Sequence, residues 1–282
     1  MGIVFAVLSL GFAGVNDVVF KKYGAKERPI GLLFAFIGII LFSFFLILGA
    51  LRHTLSFSAP VLLIGSAAGI VSVLANIALV EGMKRTGASI GATIYRLNLI
   101  FVAVIAFLFL HESFTLLKGA ALICALAAII LFSFSGERSS KGIAYKFILL
   151  LVAASVLRAL MGISYKVASN YAVSNEAFLA LSGLWWGIIG ITYYLLRERR
   201  LAVSRSVFRY AGISGALICG IVFFLKCAVN AADASIAVTI SQFSFLITAP
   251  LVVIFLKERL CLRKACGMAL AVVCIIFFSL PS

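Results

Sequence analysis

A deep arginine and two hydroxyl residues on one helical face are the first feature of the sequence that could do chemistry. Ser89, Thr93 and Arg96 follow each other at intervals of four and three residues inside a long apolar segment, so they share one side of a helix. A charge at such a position needs a partner or a polar interior. A guanidinium group forms paired hydrogen bonds with a carboxylate, so this face predicts a binding site for an anionic group. The alternative is a structural arginine bonded to backbone carbonyls.

A second face of the same kind occurs 146 residues later, with Ser235, Thr239 and Gln242. Residues 87–118 and 233–264 share eleven identities over 32 positions without a gap, so the chain contains an internal repeat. Gln242 stands where the first copy has its arginine, so the two faces differ in charge. We expect the two faces to meet across a cavity that prefers anions.

Further polar and aromatic residues lie deep in other apolar segments. Arg158 lies in the middle of one of them and is a second candidate for binding an anionic group. Trp185 and Trp186 are adjacent and face different ways, so at most one of them lines the cavity, where it would form an aromatic wall with Tyr95 and Tyr165; packing in the interior is the alternative. The predicted binding residues are Ser89, Thr93, Tyr95, Arg96, Asn98, Arg158, Trp185, Trp186, Ser235, Thr239 and Gln242.

A second set of charged residues lies near the ends of apolar segments. Asp17 comes close to the predicted end of the first segment, where pairing with Lys21 one turn later is the alternative to a functional role. Lysines near segment ends can also extend to the membrane interface. We expect five residues to gate or couple the binding site through opposite-charge pairs that form and break: Asp17, Glu81, Lys166, Lys226 and Asp233.

The composition places the protein in a membrane. Hydrophobic residues make up 64% of the chain and charged residues 12%, compared with about 45–50% and about 25% in soluble proteins. Almost the whole length divides into apolar runs near the roughly 20 residues that a membrane helix needs. Ten spans are predicted, at about 3–20, 30–50, 60–82, 87–110, 115–135, 144–167, 176–196, 208–230, 233–256 and 263–280.

The sequence also argues against several other classes of protein. It contains no nucleophile–base arrangement, phosphate-binding loop or metal-ligand motif, and no soluble domain that could carry one. We therefore expect neither an enzyme nor a bound cofactor. The net charge of +15 is concentrated in the links between spans, which predicts contact with the lipid bilayer and not with nucleic acid.

The repeat determines the predicted architecture. Each copy contains five spans, and because five is odd the second copy enters the membrane from the opposite side. The predicted fold is an all-α membrane protein of ten transmembrane helices, arranged as two inverted five-helix repeats around a central cavity. The first repeat covers residues 1–135, the connecting link covers 136–143, and the second repeat covers 144–282.

Lysine and arginine residues are concentrated on one side of this arrangement. Eighteen of the 24 fall in or beside the links that follow odd-numbered spans, whereas only Arg52 and Lys118 fall in the opposite links. The positive-inside rule places the odd links in the cytoplasm. We therefore expect a multi-pass protein of the cell's inner membrane with both termini outside.

Short motifs accompany the repeat. They are Ala88-Ser89, Leu110-His111-Glu112 and Gly119 in the first copy, Pro250, Leu256-Lys257-Glu258-Arg259 and Gly267 in the second copy, and Gly14-Val15-Asn16 with Phe20-Lys21 in the first span. With these motifs the chain resembles, over essentially its whole length, the EamA type of the drug/metabolite transporter superfamily. It departs from the family pattern at Val104, which stands where the second copy has Pro250, and at Arg96.

The resemblance implies a ten-helix carrier in which spans 1–4 and 6–9 surround the central cavity and spans 5 and 10 are peripheral. Together with the deep arginines it favours a secondary active transporter, an exporter, of small organic metabolites such as amino acids or other carboxylate-bearing solutes. Transport would proceed by alternating access. Protons acting through Asp17 or Glu81 are one hypothesis for the coupling, and uncoupled exchange is the other.

The alternative function is a lipid-linked-substrate flippase or a subunit of a membrane assembly. Small residues four apart, such as Gly183 and Gly187, let helix backbones approach closely. Such faces could serve a partner, or a homodimer formed through the peripheral helices. A cavity closed to the bilayer would favour the carrier, and an open lateral groove would favour the flippase.

Overall fold

The computed structural model describes residues 1–86, 94–113, 115–133, 145–171, 173–201, 203–256 and 262–279. Within these ranges it is all-helical. The α-helices are α1 Gly2–Gly24, α2 Ile30–Leu51, α3 Ala59–Thr86, α4 Asn98–Phe109, α5 Leu116–Ser133, α6 Tyr145–Asn170, α7 Asn175–Tyr193, α8 Arg205–Ala231, α9 Ala234–Ser241, α10 Phe245–Leu256 and α11 Leu262–Ser279.

A short 3₁₀ turn, Gln242–Ser244, joins α9 to α10, so these two helices form one span, and within the described ranges the predicted count of ten helices is confirmed. Seven helices in the described ranges are long and apolar enough to cross a membrane. The segments Ile94–Phe109 and Leu116–Leu131 are shorter apolar helices. The protein is therefore an all-α, multi-pass membrane protein.

Each helix of the first half has its most extensive contact with a helix of the second half. The main pairs are α1 with α8, α2 with α7, α3 with α6, and α5 with α11, while α4 packs on α6 and α9 and α1 also packs on α9 and α10. Exchanging every helix with its counterpart in the other half leaves this set of pairs unchanged. The two halves therefore interlock, and the packing follows the internal repeat seen in the sequence.

Glycines bring the backbones of α2 and α7 into direct contact. A Cβ atom added to Gly38 would lie 2.3 Å from the Gly187 nitrogen, and one added to Gly183 would lie 2.5 Å from the Phe42 nitrogen. No rearrangement of a flexible side chain can relieve contacts with backbone atoms. Small residues are needed here because close backbone approach is what holds helices together in lipid.

We expect Gly38→Ala to destabilise the protein, although alanine normally favours a helix over glycine by about 1 kcal/mol. The added methyl group must push α2 away from α7, and overpacking of this kind costs about 1–3 kcal/mol. Gly212→Ala is the matched control, because a Cβ atom at Gly212 meets nothing within 4 Å. Thermal unfolding of the two variants in detergent measures the difference, and equal midpoints would contradict the packing described here.

The span that contains Gln242 is kinked, and the span that contains Arg96 has a single tightened turn at the equivalent position; we call both positions helix breaks. Phe243 leaves the helical conformation with φ −83° and ψ 21°. Leu97, which precedes Phe243 by the repeat shift of 146, forms a turn in which its N–H bonds to the Ile94 carbonyl at 3.2 Å. Interrupted helices inside a membrane protein occur where the backbone is buried in protein or lines a cavity. The repeat therefore places two helix breaks at the predicted binding residues.

Candidate functional site

Polar side chains stabilise the break before α4. The Tyr95 carbonyl accepts hydrogen bonds from Asn98 Nδ2 at 3.0 Å and from Ser155 Oγ at 3.3 Å. The second of these bonds ties the turn to α6. Asn98 is fully buried, and its Oδ1 has no hydrogen-bond partner in the part of the chain that the structure describes. Asn98 therefore supports the break from inside the helix bundle.

An ion pair between Asp17 of α1 and Arg96 lies beside this break. Arg96 Nη2 is 3.6 Å from Asp17 Oδ2, and it also donates a hydrogen bond to Ser244 Oγ at 3.2 Å. Ser244 Oγ in turn donates to Asp17 Oδ2 at 2.7 Å, so one hydroxyl connects both charges. The guanidinium lies over the Phe245 ring, 5.1 Å from its centroid. The deep arginine thus has a carboxylate, a hydroxyl and an aromatic face around it.

Thr248 holds α1 against the second break and orients the carboxylate. Its Oγ1 lies 3.1 Å from Asp17 Oδ2, 3.1 Å from the Gly14 carbonyl and 3.0 Å from the Ser244 carbonyl. A Cβ atom on Gly14 would lie 2.4 Å from the Ile247 Cβ and 2.8 Å from the Ser244 carbonyl oxygen, so only glycine allows this approach. Gly14 lies about one helical turn before Asp17, which fixes where the carboxylate stands.

Asp17 lies deeper than the sequence suggested. The first span was predicted to end near residue 20, but α1 continues to Gly24. Lys21 and Lys22 lie in its last turn, where positive charges interact favourably with the negative end of the helix dipole. Asp17 is therefore about 10 Å from that helix end at 1.5 Å per residue. Its carboxylate faces Arg96 across the bundle.

Three residues of this site were not predicted from the sequence: Ser244, Phe245 and Thr248. Two signals were available. Ser244 is the repeat counterpart of Asn98, and Ser244 and Thr248 are four residues apart, so both hydroxyls lie on one helical face. Neither signal identifies Asp17 as their partner, because that contact joins residues more than 220 positions apart.

The other predicted binding residues have different surroundings. Thr239 is buried and donates its hydroxyl hydrogen to the Ser235 carbonyl of its own helix at 2.6 Å, and Gln242 is buried at the end of α9. Arg158 donates a hydrogen bond to Met161 Sδ at 3.2 Å. Ser89 and Thr93 lie outside the described residues.

The two tryptophans of α7 differ in environment. Trp186 is buried, donates from Nε1 to Ser72 Oγ at 2.6 Å, and packs edge-on against Phe34 with ring centroids 5.4 Å apart. Trp185 is half-buried. Trp186 is therefore packed in the protein interior, which was the alternative to lining a cavity.

A second polar cluster joins the end of α4 to the start of α9, and we call it the Glu112 cluster: Glu112, Ser113, Lys118, Asp233 and Ser235. Glu112 Oε1 accepts from the Ala234 N–H at 2.6 Å, while Oε2 accepts from the N–H of Ser235 at 3.3 Å and from its Oγ at 2.6 Å. A carboxylate at this position accepts hydrogen bonds from N–H groups that have no partner within α9. Its negative charge is also stabilised by the positive end of the helix dipole.

Lys118 completes the Glu112 cluster, and His111, whose backbone lies in the left-handed region, precedes it. Lys118 is buried, donates to the Ser113 carbonyl at 2.8 Å and forms an ion pair with Asp233. His111 adopts φ 53°, which lets the Glu112 N–H bond back to the Ala106 carbonyl at 3.2 Å and ends α4. An adjacent cavity of about 10 Å³ has room for roughly one water molecule.

The remaining predicted gating residues form hydrogen bonds with neighbouring helices. Lys166 Nζ donates to the Val229 and Ala232 carbonyls at the end of α8, at 3.1 and 2.9 Å. Lys226 is completely buried, donates to the Tyr165 carbonyl at 2.7 Å and lies over the Phe178 ring. Glu81 accepts a hydrogen bond from the Tyr193 hydroxyl. Asp17 and Asp233 each stand in an opposite-charge pair, with Arg96 and Lys118 respectively.

Comparison with known proteins agrees with this architecture. Residues 1–134 match the EamA-like transporter family, which belongs to the drug/metabolite transporter superfamily. A solved structure described only as "Crystal structure of protein" has a TM-score of 0.82 and 18% identity, over 99% of this chain and 96% of that one. No curated protein sequence matches the chain.

Residues 1–134 thus carry the pattern of the EamA-like transporter family, which supports a transporter role. The solved structure shares the fold of this protein over essentially the whole chain.

Proposed function

We propose that the protein is a secondary active transporter, an exporter, of small carboxylate-bearing metabolites such as amino acids. The observation that carries the proposal is the Asp17–Arg96 pair beside two helix breaks at equivalent positions of the repeat. Interrupted helices at the contact between two repeats are typical of substrate sites in secondary transporters. A charge retained inside a membrane protein usually serves substrate or ion movement.

Arg96 is suited to bind a carboxylate because its pairing with Asp17 is loose. The 3.6 Å separation exceeds a good charged hydrogen bond, and the Arg96 side chain keeps 15% of its surface accessible. Asp17 also retains hydrogen bonds from Ser244 and Thr248, so it remains stabilised when the guanidinium turns to another anion. A substrate carboxylate therefore competes with Asp17 for Arg96 at limited cost.

Alternating access requires that one end of the pathway closes while the other opens. The Asp17–Arg96 pair lies toward the Gly24 end of α1, whereas the Glu112 cluster lies beyond the opposite end of α4, a helix of about 18 Å. In our proposal the Glu112 cluster is the closed gate of this state, and Asp233 and Ser235 separate from Glu112 and Lys118 when access alternates. Lys166 and Lys226, which hold the adjoining ends of α6 and α8, move with that gate.

The wider arrangement follows from the same proposal. Residues 1–135 and 144–282 form two inverted repeats joined by residues 136–143, and the contact pattern that is unchanged by exchanging the halves supports this. The protein lies in the inner membrane with both termini outside, as the distribution of lysine and arginine indicates. Asp17 is the residue through which protons would couple to transport, because it alternates between Arg96 and other partners.

A thermal-shift screen of the purified protein tests the substrate class. A ligand that binds only the folded state raises the melting temperature, so carboxylate-bearing metabolites should stabilise the protein and neutral sugars of similar size should not. Stabilisation by lipid-linked substrates alone would favour the flippase instead. If no carboxylate shifts the melting temperature at millimolar concentration, the proposed function is wrong.

A further inference from the structure

We propose that the link before α2 and the start of α8 together form a binding surface for the headgroups of anionic phospholipids. We call it the basic surface, and it consists of Lys26, Arg28, Arg205 and Arg209. It lies on the outside of the helix bundle, apart from the Asp17–Arg96 pair, so this inference does not depend on the proposed transport function.

Aromatic packing brings the two segments of the basic surface together. The Tyr23 and Tyr210 rings meet edge to face with centroids 5.5 Å apart, and the Arg28 guanidinium lies over both rings, at 5.3 and 5.1 Å from their centroids. Arg28 Nη1 donates hydrogen bonds to the Lys22 and Tyr23 carbonyls at 3.2 and 2.8 Å. The other nitrogens of Arg28 have no hydrogen-bond partner among the described residues, so an immobilised guanidinium keeps donors for an anion.

The positive charge of these segments is not neutralised by the protein. Residues 21–28 and 197–209 contain nine lysines and arginines but two glutamates, and Glu198 is buried, where it accepts the Gly31 N–H at 2.7 Å. Arg205 and Arg209 are exposed, stand four residues apart on one face of α8, and form no ion pair with any residue that the structure describes. Like charges at this spacing repel each other and weaken a helix. An anion bound by both arginines would remove that cost.

The internal repeat shows that these arginines are not needed to begin a helix here. With the shift of 146 residues, Arg205 corresponds to Ala59 and Arg209 to Leu63, both exposed at the start of α3. The helix α3 therefore begins in the equivalent place without a cation. The positive-inside rule is met by any lysine or arginine of the link and does not require two of them on one exposed face. The pair is thus available for a ligand.

Apolar side chains beside the arginines favour a lipid over a free phosphate ion. Phe208 and Ile213 of α8 are 48% and 54% exposed, and Phe208 packs against Phe36 of α2 with ring centroids 4.6 Å apart. Arginines followed along the helix by exposed apolar side chains match the anionic headgroup and the acyl chains of one phospholipid. Basic clusters beside transmembrane helices on the cytoplasmic side bind anionic headgroups in this way.

Matched lipids on the wild-type protein in detergent test the basic surface. Phosphatidylglycerol and phosphatidylcholine with the same acyl chains are compared by native mass spectrometry and by thermal unfolding. We expect phosphatidylglycerol to remain bound preferentially and to raise the melting temperature more than phosphatidylcholine does, because a ligand of the folded state stabilises it. Inorganic phosphate should have no comparable effect. Equal effects of the two lipids, or equal stabilisation by inorganic phosphate, overturn the lipid site, and no folding defect of a variant can obscure this comparison.

The variant Arg205→Gln/Arg209→Gln then locates the site. It should bind phosphatidylglycerol about tenfold to thirtyfold more weakly, the effect of removing two arginines from an anionic headgroup. Lys146→Gln/Arg263→Gln is the matched control, because it removes two exposed cations from the starts of α6 and α11, on the same predicted side of the membrane. An unchanged affinity in the arginine variant, or an equal loss in the control, overturns the basic surface and leaves the transport proposal untouched.

Discussion

Joining the starts of α5 and α9 is expected to stop transport completely and reversibly. Lys118 and Asp233 form an ion pair across the Glu112 cluster, so cysteines at these positions lie within reach of a short bis-methanethiosulfonate linker. If alternating access separates these residues, the Lys118→Cys/Asp233→Cys protein should transport before cross-linking, fall to background after it, and recover when a reductant cleaves the linker.

The cross-linking experiment needs a background without the six native cysteines, of which Cys124, Cys219, Cys227, Cys266 and Cys274 are unpaired in the structure. Each single-cysteine protein, treated with the same linker, is the control for modification without bridging. Full transport after quantitative cross-linking would show that α5 and α9 stay together throughout the cycle. The Glu112 cluster would then be a permanent helix cap and not a gate.

Arg96→Gln is expected to leave the protein folded and to weaken binding of carboxylate substrates by about 10- to 100-fold, the effect of losing a charged hydrogen bond worth about 1–3 kcal/mol. Glutamine reproduces the residue at the equivalent position of the repeat, Gln242. Folding should survive because Asp17 keeps its hydrogen bonds from Ser244 and Thr248, and about a third of its side chain is accessible.

Arg200→Gln is the matched control for this variant, because it removes an exposed arginine beyond the end of α7. Titration of each protein with the best ligand of the thermal-shift screen gives the two affinities. Unchanged affinity in a folded Arg96→Gln protein would assign Arg96 a structural role, and the argument for an anionic group on the substrate would lose its main support.

Much of the architecture was accessible from sequence because it depends on local or repeated patterns. Long apolar runs predict membrane helices, and the 146-residue repeat pairs Arg96 with Gln242. The same repeat relates Leu97 to Phe243, and both stand at helix breaks. The breaks themselves were not predicted, since neither residue is a glycine or proline and the backbone there is stabilised by side chains from other helices.

The partners of the site residues could not be read from the sequence. Asp17 meets Ser244 and Thr248 only because Gly14 allows α1 to approach the second break. Likewise, Glu112 was part of a motif of the repeat, but its bonds to Ala234 and Ser235 depend on how the two halves interlock. Contacts between distant segments are set by packing, whereas periodicity fixes only which face of a helix carries a residue.

Counterflow in proteoliposomes tests the central claim most directly. Vesicles containing the purified protein are loaded with an unlabelled amino acid, diluted into the labelled form, and compared with vesicles containing the Arg96→Gln protein and with empty vesicles. A carrier with its substrate site at Arg96 should give transient accumulation of label in wild-type vesicles and little or none with Arg96→Gln. Wild-type vesicles that behave like empty ones with every carboxylate tested, or Arg96→Gln vesicles that match the wild type, would contradict the account.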